Sequence, residues 1–194
     1  MNKSRLEAFS DGVLAIIITI MVLDLYVPHG TELSALKPVL PVFLCYILSF
    51  VFIGIYWNNH HHMLHAASRV SGGVLWANLH LLFWLSLLPF VTEWMGMNEF
   101  SDTPTALYGV VLLMAGVAYT ILYRALVSAE GEHSVLARAI GQDRKGQLSL
   151  VFYCAAIPLA FYQRWISQAL YVLVALMWLI PDRRIERAFS RERE

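Results

Sequence analysis

The chain has 194 residues, 58% of them hydrophobic and only 14% charged, with 14 basic and 14 acidic side chains in balance. Soluble domains carry roughly 25% charged residues, so a mean hydropathy of +0.58 points to the lipid bilayer. The neutral balance and the lack of a basic patch with interleaved aromatics leave nucleic acid out as a partner.

The first expected helix covers 5–27. From Arg5 to Leu23 it reads R-L-E-A-F-S-D-G-V-L-A-I-I-I-T-I-M-V-L, polar as far as Asp11 and apolar from there to Asp24. At about 1.5 Å rise per residue, Asp11 and Asp24 lie only about 20 Å apart, short of the roughly 30 Å of hydrocarbon that a span crosses. A carboxylate at membrane depth is costly, so this helix belongs inside a bundle or beside water. Ile16, Ile20 and Leu23 follow the i, i+4, i+7 spacing and share a face, with Thr19 beside them. Spacing of that kind is also what ordinary helix packing produces. Lys3 and Arg5 ahead of an apolar run imitate a signal peptide, but the F-S-D interruption and the missing cleavage site argue against removal.

Pro28, His29 and Gly30 break the pattern, and Pro38 and Pro41 open a second helix expected over 39–64. Its stretch Val39 to Trp57 holds nineteen residues without a charge and then runs into N-N-H-H-H-M-L-H, Asn58 to His65. Ser71, Gly72 and Gly73 mark a turn before a third helix over 73–93, with Pro89 near its end, and Glu93 to Thr105 reads as a short acidic loop. The fourth helix, 105–127, is uncharged from Ala106 to Tyr123. Arg124 to Gly146 is polar, with a short helix expected from Ser134 to Ile140. The remaining apolar segments are separated by Gln163, Arg164 and Trp165. As one helix they exceed the membrane and bury Arg164 midway, so they are expected as a hairpin of two helices, 147–163 and 166–181. Asp182 to Glu194 alternates in charge and reads as a solvated helix end.

The expected fold is therefore all-α: a single six-helix transmembrane domain over 1–194. Six spans put twelve of the Lys and Arg residues on one side and only Lys37 and Arg164 on the other, which places both termini in the cytoplasm. Cys45 and Cys154 fall in apolar runs and are expected as free, buried thiols.

Arg5, Phe9, Ser10 and Asp11 stand as R-x-x-x-F-S-D, followed by Gly12, Val13 and A-I-x-I-T from Ala15 to Thr19. Trp57, His60 and His61 form W-x-x-H-H, and Asn78 to Phe90 approximates N-L-x-x-L-F-x-x-L-x-x-L-P-F with Phe83 and Trp84 shifted within it. These motifs resemble the transmembrane protein 175 family of potassium channels. The resemblance implies six helices per subunit and four subunits around a pore lined by the first helix. It also implies a bacterial or archaeal plasma membrane, because longer family members resemble two such units fused.

The same resemblance implies that Ile16, Ile20 and Leu23 project into the pore as a hydrophobic constriction, which closes by dewetting. Thr19 matches the family threonine and is the candidate for selectivity. Asp24, one residue past the stripe, is placed to attract cations at the outer mouth. No T-V-G-Y-G stretch occurs, so a carbonyl-lined filter is not expected and potassium is favoured over sodium only modestly. A buried network joining Arg5, Phe9, Ser10 and Asp11 to His60 and His61 on the second helix and to Trp76 and Asn78 on the third is expected to set the angle of the pore helix.

His61 and His65 share a face and suit a divalent metal, but the seven histidines are not arranged in the several boxes of a membrane di-iron enzyme, and no Asp or Glu lies between His60 and His80. A haem between two helix histidines is a further alternative that colour would reveal. No phosphate-cradling glycine loop or G-x-S-x-G elbow occurs. No enzyme activity, metal or cofactor is expected, with potassium and other monovalent cations as permeants. The alternative function is a proton-coupled secondary transporter of a small solute, with Asp11 or Asp24 taking up the proton, or else a membrane scaffold without transport.

Overall fold

The computed structural model describes residues 3–67, 69–131 and 143–179. The short helix expected from Ser134 to Ile140 and the tail from Asp182 lie outside them. The described residues are helical: α1 (Lys3–Leu23), a 3-10 turn (Leu33–Val39), α2 (Leu40–Ala66), α3 (Gly72–Ser86), α4 (Leu88–Met97), α5 (Asp102–Glu130) and α6 (Arg144–Leu179).

Local chemistry sets the boundaries and corrects several expected ones. The first helix stops at Leu23 rather than at 27, and Pro28 disfavours the α conformation of Val27, which keeps the helix from running on to it. The expected third helix is two. Leu87 (φ −86°, ψ −11°) separates α3 from α4, its N–H reaching back to Trp84 O at 3.2 Å. Pro89 follows within the first turn of α4, where its missing N–H costs nothing that the turn needs. The α4 helix runs on to Met97, so Glu93 is helical and the acidic loop shrinks to 98–101. There Glu99 (φ 47°) and Phe100 (φ 59°) reverse the chain in the left-handed region. Gly131, at φ 97°, ends α5.

Within α6, Gln163 leaves helical geometry (φ −154°, ψ 89°). The two limbs fold back on each other: Ser167 Oγ donates to Ala156 O at 2.7 Å, Trp178 Nε1 to Ser149 Oγ at 2.9 Å, and Lys145 Nζ to Met177 O at 3.2 Å. In a straight helix residues 145 and 177 are about 48 Å apart, so these pairs require an antiparallel arrangement about Gln163.

The α5 helix is the spine, packed against α6 and α3, while α2 lies on α4 and α1 rests across α2, α3 and α4. Phe52, Leu64, Leu85, Leu112 and Leu122 fill the core between them. Gly96 lets α4 approach α2 so closely that a Cβ there would stand 2.6 Å from Val42 Cα. Inside the core, Ser49 Oγ shares hydrogen bonds with Thr92 Oγ1 (2.6 Å) and Tyr108 OH (2.9 Å), tying α2, α4 and α5 together. Cys45 is buried, but Cys154 is exposed, contrary to expectation, because it lies on the outer side of the first limb of α6.

By length and composition, Lys3–Leu23, Leu33–Ala66, Gly72–Met97 and Asp102–Glu130 are long and apolar enough to cross a membrane. The α3–α4 pair together is thus long and apolar enough for one bent span. Phe83, Phe90, Val172 and Leu176 are among many large apolar side chains left exposed, a surface that suits hydrocarbon rather than water.

Candidate functional site

Two opposite faces of α1 define the site. Leu6, Ser10, Leu14, Ile17 and Met21 are buried against the neighbouring helices. Ile16 (58% exposed), Ile20 (43%) and Leu23 (79%) are not, and Phe9, Gly12 and Thr19 are exposed with them. Packing within the subunit therefore does not account for the stripe. At about 100° per residue, Ile16, Thr19, Ile20 and Leu23 lie about 180–280° around the helix from Ser10. Whatever holds Ser10 fixes the direction in which the stripe points.

A chain of polar contacts holds Ser10. Asn78 on α3, fully buried, donates Nδ2 to Ser10 Oγ at 3.0 Å, and the Ser10 hydroxyl donates onward to Leu6 O at 2.9 Å. The other end of the amide, Oδ1, meets His60 Nε2 of α2 at 2.7 Å. With the amide assigned by that network, His60 carries its hydrogen on Nε2 and leaves Nδ1 as a buried acceptor without a partner among the described residues. Three helices are joined through one asparagine.

A more exposed layer continues the contact. Trp57 Nε1 donates to Asp11 Oδ1 at 3.0 Å, His61 Nδ1 pairs with Glu7 Oε1 at 2.8 Å, and Lys3 Nζ donates to His65 O at 2.8 Å. The His61–Glu7 pair is half-exposed, so it contributes little to stability. The network thus gathers Ser10, Asp11, His60, His61 and Asn78. It does not gather Arg5, Phe9 or Trp76, which stand exposed with no hydrogen bond to it among the described residues. Trp76 points away because it sits two residues before Asn78, on the other side of α3. Glu7 and Trp57 are members that the sequence reading left out. Trp57 was signalled by its place in W-x-x-H-H, and Glu7 by its i, i+4 relation to Asp11.

At the other end of α1, Thr19 Oγ1 donates to Ile16 O at 2.9 Å. Asp24 lies beside a crevice shared with Glu93 of α4. Among the described residues, no group of three or more His, Cys, Asp or Glu side chains is placed to hold a metal.

The sequence model of the family described as endosomal/lysosomal potassium channel TMEM175 matches residues 5–89, which include α1, its polar partners and the α3–α4 break. A potassium channel of Chryseobacterium sp. (strain P1-3) is 55% identical over 190 residues, 98% of this chain and 99% of that one. This chain belongs to the TMEM175 family. A potassium channel of Streptomyces collinus is 36% identical over 132 residues, 63% of this chain and 64% of its own. The crystal structure of the TMEM175 homologue from Chamaesiphon minutus superposes with a TM-score of 0.76 at 24% identity, over 92% of this chain and 96% of that one, which shows a shared fold. TMEM175 proteins are channels and not enzymes, and this member is a multi-pass membrane protein.

Proposed function

We propose that the chain is a potassium-permeable cation channel that assembles as a homotetramer with α1 of each subunit lining a central pore. The observation that carries this reading is the exposure of Ile16, Ile20 and Leu23 on a helix whose opposite face is pinned through Ser10. One helix cannot enclose a pore, so the exposed stripe needs further copies. The 55% identity to a potassium channel over nearly its whole length supports the permeant ion.

In this reading each subunit crosses the plasma membrane six times, with the α3–α4 pair as one crossing and the limbs of α6 as two. Both termini lie in the cytoplasm, as the Lys and Arg distribution directs. Rings of Ile16, Ile20 and Leu23 form a neck too apolar to hold water when narrow. Thr19 supplies oxygen atoms along the same face, and Asp24, with Glu93 nearby, raises the cation concentration at the outer mouth. Potassium is preferred over sodium modestly, because no backbone-carbonyl filter strips the ion completely.

Flux from liposomes holding the purified protein tests this, with potassium, sodium and chloride gradients applied separately to the native chain and to Ile16→Asn and Ile20→Asn. The expected result is potassium flux that rises at least tenfold when either ring is made polar. Flux of chloride equal to that of potassium, or no flux from any of the three proteins, overturns the reading. Flux that requires a coupled proton gradient returns the transporter alternative.

A further inference from the structure

On the side of α2 away from α1, a cavity of about 40 Å³ lies between α2, α5 and both limbs of α6. One water-sized group needs roughly 10–15 Å³ on this measure, so the space takes about three. Tyr56 and Asn59 of α2, Tyr119 of α5, and Asp143, Tyr153 and Trp178 at α6 are among its lining. No hydrogen bond among the described residues reaches the hydroxyls of Tyr56, Tyr119 or Tyr153, although Tyr153 is only 3% exposed. The rings of Tyr56 and Tyr119 meet edge to face, 6.1 Å apart.

Asp143 caps α6, its Oδ1 accepting from Gly146 N at 2.9 Å. Its second carboxylate oxygen has no hydrogen bond among the described residues. Trp178 spends its indole N–H on Ser149 and already takes the Lys145 ammonium over its ring at 5.9 Å. One carboxylate, three hydroxyl oxygens without donors and a set of aromatic faces thus surround a space of a few heavy atoms.

We infer that this cavity is a binding site for a primary alkylammonium ion with a short apolar tail. An ammonium group has three N–H donors and no acceptor, which matches a wall of oxygen acceptors. Its charge is compensated by Asp143 and attracted by the ring faces, and the tail lies against Phe52 and Leu150. Neutral guests of the same size lack both features. Binding here does not depend on the channel reading, because α2 stands between the cavity and α1.

The test is thermal unfolding of the full-length protein in detergent, titrated with ethylammonium chloride and, separately, with ethanol, against potassium chloride at matched ionic strength. Ethylammonium is expected to raise the unfolding midpoint saturably and ethanol is not. Asp143→Asn keeps an effective helix cap while removing the charge, and it is expected to weaken half-saturation at least tenfold. Tyr153→Phe is expected to weaken it severalfold. An equal response to ethanol, an unchanged half-saturation in Asp143→Asn, or no saturable shift in the native protein each overturns the proposal. The last outcome would leave the cavity to ordered water only.

Discussion

Asn78→Ala is the most informative single perturbation of the polar anchor. The amide makes two interhelical hydrogen bonds, to His60 and to Ser10, from a position with no solvent exposure. Interhelical hydrogen bonds in membrane proteins average about 0.6 kcal/mol and reach about 1.7 kcal/mol, so their loss costs about 1–3 kcal/mol. His60 is then left with neither ring nitrogen partnered among the described residues, because Nδ1 has no partner there already, which pushes the cost toward the upper end. For a chain of this size about 1 kcal/mol shifts the midpoint by roughly 2–4 °C, so the expected fall is about 3–10 °C. The assay is thermal unfolding in detergent, run as a double-mutant cycle with Ser10→Ala. Because Ser10 receives its bond from Asn78, the two changes should be less than additive by at least about 0.5 kcal/mol. A fall below about 2 °C, or strict additivity, would refute the view that Asn78 pins α1.

Gly96→Ala forces a methyl group against Val42 Cα, so it should cost about 1–3 kcal/mol by overpacking, read as a lower midpoint; an unchanged midpoint would mean that α2 and α4 do not approach so closely. Glu7→Gln should cost less than about 1 kcal/mol, because its pair with His61 is half-exposed; a loss above about 2 kcal/mol would show that this layer is buried by a neighbour. N-ethylmaleimide should label a single thiol in the detergent-solubilised protein, Cys154, and Cys154→Ser should abolish the label while Cys45 stays protected.

The sequence carried the periodic features well, and for a physical reason. A helix converts spacing into direction, so Ile16, Ile20 and Leu23 could be placed on one side of α1 before any packing was known. The hairpin at Gln163 was legible because a single helix of that length would have buried Arg164. The polar motif was legible only in part. Ser10, His60 and Asn78 meet because three helices cross at one height, and that height is a product of packing; the same crossing brings Trp57 to Asp11 and Glu7 to His61, and it leaves Trp76 outside. The break at Leu87 was visible as Pro89, yet one proline in a long apolar run is equally compatible with a kinked single helix. The exposure of Cys154 was hidden because apolar surroundings in sequence do not tell a core from a lipid-facing surface.

The Thr19 hydroxyl has one hydrogen, and Ile16 O holds it. What approaches this side of the helix therefore meets the two lone pairs of the oxygen and no proton. In the proposed channel, a potassium ion shedding water would find a substitute for the oxygens it loses, whereas chloride would find no hydrogen on this hydroxyl to replace those that solvated it. The internal turn-to-turn bond of a single threonine thus gives the exposed face an intrinsic sign, set by the hydroxyl's orientation and independent of any formal charge.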